Sequence, residues 1–130
     1  AHKIFCEVAM AKTVLSIDDS KAIRDMVAFT LGNAGYRVIE AENGAQGLDR
    51  LRAEPVALVI VDLNMPVMNG FEFIKKARSE PKGAGIPILM LTTESRPEAK
   101  AEGKALGATG WLNKPFDANM LLTVTRKLAG

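Results

Sequence analysis

Histidine and cysteine are almost missing from this chain, which has one of each among its 130 residues, His2 and Cys6. A single cysteine excludes an internal disulfide and any zinc cage made of several thiolates. Both residues fall in the first nine positions, so no Ser/His/Asp or Cys/His nucleophile system can be built beyond them. Long apolar runs are also lacking. Nothing approaches the roughly 20 residues of a membrane span, and no secretory h-region is found, so the expected location is cytoplasmic. Charge of one sign is scarce as well. A net charge of +2 makes no case for nucleic acid, which needs a clustered basic face. The rest has the composition and size of one soluble globular domain.

The opening AHKIFCEVA fits poorly with the clean strand pattern MAKTVLSIDD that begins at Met10. Residues 1–9 are read as an appended leader and residues 10–130 as a single domain, the alternative being a genuine extension strand or helix.

Short β-rich runs then alternate with helical stretches. The first strand spans Thr13 to Ile17 and a helix follows from about Ser20 to Ala34, with Ile23, Met26, Val27, Thr30 and Leu31 spaced for one buried face. Gly35 ends that helix. Further strands are expected at Tyr36–Ala41, Leu58–Val61, Ile88–Leu91 and Gly110–Asn113. Capping-box patterns open helices at Asn43–Gln46, Asn69–Glu72 and Ser95–Glu98, with Pro97 tolerable in a first turn. Asp117 caps a last helix whose Met120, Leu121, Val124 and Leu128 face inward. Five strands alternating with five helices predict an α/β fold, a doubly wound parallel sheet covered on both faces. The common strand order at this size is 2-1-3-4-5, with ligands bound outside the carboxyl ends of the strands.

At that edge strand 1 ends in Asp18-Asp19, strand 3 in Asp62, strand 4 in Thr92-Thr93 and strand 5 in Asn113-Lys114-Pro115. Neighbouring strands lie about 4.8 Å apart, so these carboxylates must crowd. Two unit charges at 4 Å repel by about 4 kcal/mol at an effective dielectric of 20, and three carboxylates together call for a cation. A few hard oxygen ligands with room for water suit Mg²⁺, or Mn²⁺, better than Ca²⁺. Asp19 and Asp62 are expected to bind it directly, Asp18 directly or through water, and the backbone carbonyl of Asn64 to join them. Lys114 and the Thr92 hydroxyl would meet an incoming phosphoryl group. A nucleophile, a metal, a cation and a hydrogen-bond donor are what phosphoryl transfer to a carboxylate needs. Singly, each residue has an ordinary explanation, such as a helix cap at Asp18-Asp19 or a turn at Asn64-Met65-Pro66. Their shared edge is what points to chemistry.

The motifs IDDS at 17–20, VDLNMPVMNG at 61–70, MLTTE at 90–94 and LNKPF at 112–116 resemble the receiver domain of two-component response regulators, most closely the single-domain, CheY-like chemotaxis type with its flavodoxin-like fold. The resemblance covers about Ala11 to Ala129. It implies that Asp62 accepts a phosphoryl group from a histidine on a separate sensor kinase. Asp18, Asp19 and the Asn64 carbonyl then correspond to the Mg²⁺ site, Thr92 to the switching hydroxyl and Lys114 to the phosphate-contacting lysine. It further implies a cis Lys114–Pro115 bond. Trp111 stands where the family usually has Tyr or Phe, its indole larger than the ring that ordinarily moves inward. Asn64 and Glu94 occupy positions that tune hydrolysis. Asn69 replaces a frequent aspartate and caps equally well.

The expected function is therefore a phospho-accepting switch that binds a target protein and reads no DNA itself. The helix from Pro97 to Leu106, with Gly103 inside it and Leu106 as its one large apolar anchor, is expected to pack weakly. Together with strand 5, Trp111 and the last helix it forms the expected docking face for a target such as the flagellar motor switch. A phosphate sink or relay intermediate is the alternative within the same family. An aspartate-nucleophile phosphatase of the haloacid dehalogenase kind would want an acid two residues after Asp62, where this chain has Asn64. A nucleotide or flavin binder would want a glycine-rich first turn in place of Asp18-Asp19-Ser20.

Overall fold

The computed structural model describes Ala11–Gly130; the leader assigned to residues 1–9, with His2 and Cys6, lies outside the described residues. Five strands, β1 (Thr13–Ile17), β2 (Arg37–Ala41), β3 (Leu58–Val61), β4 (Ile88–Thr92) and β5 (Gly110–Asn113), alternate with α1 (Lys21–Gly32), α2 (Gly44–Ala53), α3 (Gly70–Arg78), α4 (Pro97–Leu106) and α5 (Ala118–Ala129). All strand pairs are parallel and the order is β2-β1-β3-β4-β5, as the sequence predicts.

Period-2 alternation divides the strand side chains between two cores. Leu15, Ile17, Val59, Val61, Ile88 and Met90 face Leu48, Leu51, Phe73 and Ile74 of α2 and α3. Val14, Leu58, Ile60, Leu89 and Leu91 face Val27 and Leu31 of α1 and Leu121 of α5. Burying one such leucine or isoleucine contributes about 1.5–3 kcal/mol. Central strands packed on both faces cannot shift easily, so the polar groups at their carboxyl ends sit on a rigid frame.

Helix starts follow the sequence unevenly. Asn69 and Glu72 form the complete capping box. Asn43 accepts from the Gln46 amide, but the Gln46 side chain turns to the Glu42 amide, so the reciprocal half of that box is displaced by one residue. Ser95 does not cap α4 at all: the cap position is Arg96, without a side-chain bond. The Glu94 carboxylate has taken the Ser95 and Arg96 amides instead. Two inward assignments also fail, since Met26 and Met120 are half exposed. On α1 the stripe is carried by Val27 and Leu31 with Arg24 one turn earlier, which rotates Met26 outward.

Arg78, in the last turn of α3, ties two regions together. Its guanidinium donates to the Gly83, Ala84 and Ile86 carbonyls of the following loop and to the Gly107 carbonyl at the end of α4. A cation at the carboxyl ends of two helices also meets the negative ends of both dipoles. No helix among the described residues is long and apolar enough to cross a membrane.

Candidate functional site

Register explains the carboxylate cluster. Ile17 of β1 pairs with Val61 of β3, so the next residues, Asp18 and Asp62, leave adjacent strands side by side. Their amides are held by the Ala41 and Ile17 carbonyls. Carboxylate oxygens of Asp18, Asp19 and Asp62 all lie within 4.8 Å of one another; Asp18 and Asp62 are buried and Asp19 is exposed. The three sequence-predicted acids are thus brought together, with one member open to solvent.

Lys114 arrives from the end of β5, past Asn113, which pairs with Thr92, and the Lys114–Pro115 bond is cis. Its Nζ lies 2.7 Å from Asp18 Oδ2 and 3.2 Å from Asp62 Oδ2. The lysine therefore meets part of the need for positive charge that crowding creates. Three carboxylates against one ammonium still leave a formal charge of −2, and hard oxygen donors around such a deficit fit a small divalent cation. Burial pushes the Asp18 carboxyl above its ordinary range despite the Lys114 bond and the Ser20 amide that oppose it. Burial also presses on Lys114, but its bond to Asp18 and the charges of Asp62 and Asp18 together outweigh this and raise its pKa. The remaining Asp62 oxygen, Oδ1, accepts from the Leu63 amide at 2.7 Å.

The loop after Asp62 doubles back beneath it. Gly70 donates its amide to the Leu63 carbonyl, and a Cβ there would lie 2.4 Å from the Asp62 carbonyl oxygen, so only glycine allows this approach. At the exposed tip Val67 has φ of 69° while Met68 donates to the Pro66 carbonyl. This is a γ-turn, strained for a β-branched residue. The Asn64 side chain is exposed within the same loop.

On the other side of the rim, Thr92 is wholly buried and its Oγ1 accepts from the Glu94 amide at 3.2 Å. The hydroxyl proton is thereby left for another acceptor. The Glu94 carbonyl accepts from Trp111 Nε1 at 2.9 Å and from Asn113 Nδ2 at 2.7 Å. One residue, Glu94, thus touches Thr92 through its N–H and Trp111 through its carbonyl. The indole packs on Phe71, with ring centroids 6.5 Å apart, and on Gly103, where a Cβ would come within 2.9 Å of Trp111 Cζ3. Gly103 is thus no simple weak point of α4: it is the gap into which the large indole fits.

One polar residue escaped the sequence reading. Arg24 is buried on α1 and donates to the Asp18 carbonyl at 2.7 Å. The signal was available, because Arg24, Val27 and Leu31 follow i, i+3, i+7 and share one face. A charged residue in phase with a core stripe needs a buried partner.

An open parallel sheet with this acidic rim and its lysine defines a CheY-like signalling domain. A model of the response regulator receiver domain matches residues 14–126, and the chain belongs to that family. Chemotaxis protein CheY4 of Vibrio cholerae superimposes with a TM-score of 0.87 at 48% identity, covering 92% of this chain and 99% of that one. Protein PilH of Pseudomonas aeruginosa is 34% identical over 118 residues, 90% of this chain and 98% of its own length. Response regulator GtcR of Aneurinibacillus migulanus is 37% identical over 108 residues, 83% of this chain, which spans only 43% of GtcR.

Proposed function

We propose that this receiver is a Mg²⁺-dependent phospho-accepting switch in which Asp62 takes the phosphoryl group from a histidine of a sensor kinase. The observation that carries this is the meeting of the buried Asp62 carboxylate with Asp18, Asp19 and Lys114 at one sheet edge. Asp18, Asp19, Asp62 and the Asn64 backbone carbonyl would hold Mg²⁺, with Mn²⁺ a substitute. The bound ion would neutralise phosphoryl oxygens as charge shifts between donor and acceptor.

The chain's own groups supply the rest. The Asp62 oxygen facing Lys114 attacks phosphorus, the P–N bond to the donor imidazole breaks, and the electron pair leaves with that nitrogen, the donor imidazole taking up a proton from solvent. The product is an acyl phosphate on Asp62. Lys114, freed from Asp62, pairs with the new anion, and the Thr92 hydroxyl donates its uncommitted proton to a phosphoryl oxygen. Asn64 is an amide with no acidic proton for a leaving group, where a phosphatase would want a carboxyl, which favours transfer over phosphatase turnover.

Phosphorylation adds about −1.5 to −2 charges beside Lys114 and Thr92. A move of Thr92 toward them pulls Glu94 at its amide and, through the Glu94 carbonyl, Trp111. The α4–β5–α5 face is the proposed docking surface for a target protein, in a chemotaxis-type pathway with a flagellar motor switch as the candidate target. The likeness to CheY4 supports that pathway.

Incubation with acetyl phosphate and Mg²⁺ tests the chemistry by intact mass and peptide mapping. The expected outcome is a gain of about 80 Da on the peptide holding Asp62, one phosphoryl group, lost with EDTA and in Asp62→Asn. A gain that persists undiminished in Asp62→Asn would overturn the reading.

A further inference from the structure

Arg24 is a buried cation beside an acidic rim, yet its recorded partners include none of the rim carboxylates. Its Nη1 donates to the Asp18 carbonyl, its Nε donates to Glu40 Oε1 at 3.0 Å, and Nη2 lies 4.0 Å from Glu42 Oε1. The side chain is only 10% exposed. The guanidinium thus joins α1 to the turn that carries Asp18 and Asp19, to β2 and to the segment after β2. From its other end the turn is fixed by the Ser20 amide on Asp18 Oδ1. Asp18 is held at its carbonyl by Arg24 and at its carboxylate by Ser20 and Lys114.

We propose that Arg24 is a positioning residue for the divalent cation, an inference that rests on the rim being the Mg²⁺ site. By clamping the Asp18 carbonyl it keeps the turn from rotating, so that the buried Asp18 and the exposed Asp19 present their oxygens to one point. Glu40 and Glu42 hold the clamp and offset its charge. A merely electrostatic role has the opposite sign. A nearby positive charge repels a cation, so removing it would tighten Mg²⁺ binding, whereas removing a clamp loosens it. Partners beyond the direct ligands of a metal are typically worth 10- to 100-fold in affinity.

The test is Mg²⁺ titration by calorimetry on the folded full chain, with folding checked by circular dichroism. Arg24→Met keeps the stem and loses the charge; Arg24→Lys keeps the charge and loses the planar fork. Both are expected to raise the Mg²⁺ Kd about 10-fold, while Val56→Ala, a core truncation next to β3 and away from the rim, stays near the parent value. Should Arg24→Met prove too unstable, Arg24→Lys alone decides. A Kd that falls in Arg24→Met, or stays at the parent value in Arg24→Lys, overturns the clamp. If the parent binds no Mg²⁺, or Asp19→Asn binds as the parent does, the cation reading falls and takes this inference with it. If Asp19→Asn loses binding while the Arg24 variants keep the parent Kd, the clamp alone is refuted.

Discussion

Thr125 carries a cost that its neighbours on α5 avoid. Its hydroxyl is wholly buried and finds no hydrogen-bond partner among the described residues. Valine has nearly the same shape without the desolvated oxygen, so Thr125→Val is expected to stabilise the domain by about 1 kcal/mol in urea unfolding. Glu94 shows the opposite case of a polar group with many partners. The Arg96 side chain first, then the Arg96 and Ser95 amides, hold its carboxyl down to about 2, from an ordinary 4.5. A depressed carboxyl favours the folded form when ionised. Its hold on the loop before α4 is thus complete above pH 4.5 and is lost as pH falls through about 2. An NMR titration of the Glu94 side chain is expected to show that low midpoint, and Arg96→Ala to move it back toward 4.5.

At the scale of elements, α4 is fastened at its carboxyl end. Arg78→Met would strand the carbonyls of Gly83, Ile86 and Gly107 that now share one guanidinium. A cost of about 2–4 kcal/mol is expected in denaturant unfolding, with faster amide exchange at residues 103–108. Elements were legible wherever local chemistry decides them: continuous apolar strands, the Asn69–Glu72 box, the Asp117 cap. Misreadings came where a neighbouring charged residue competed for the same amides or the same helix face. Glu94 holds the Ser95 amide that a Ser95–Glu98 box would give to Glu98, and Arg24 occupies the α1 face that the spacing gives to Met26. Gly103 reads as a helix weakness in one dimension and as room for Trp111 in three.

For the molecule as a whole, the rim is a compromise between repulsion and function. Asp18, Asp19, Asp62 and Lys114 meet there because parallel register brings strand ends together, which the order 2-1-3-4-5 already implies. The contact of Lys114 with Asp18 was not legible, since it depends on a flexible side chain choosing among nearby acids. With a charge deficit stored at the rim, Mg²⁺ at about 100 times its Kd should add about 2.7 kcal/mol of stability, or about 10 °C in Tm for a domain of this size. Asp19→Asn should show no such rise with Mg²⁺, yet melt at or slightly above the parent in EDTA because one repelling charge is gone; differential scanning calorimetry reads both. The chain's single tryptophan sits at the far end of the Thr92–Glu94–Trp111 path, its indole N–H on the Glu94 carbonyl. Intrinsic fluorescence therefore comes with its source already wired to the loop beside the acidic rim, and the unlabelled protein carries its own optical gauge of that loop.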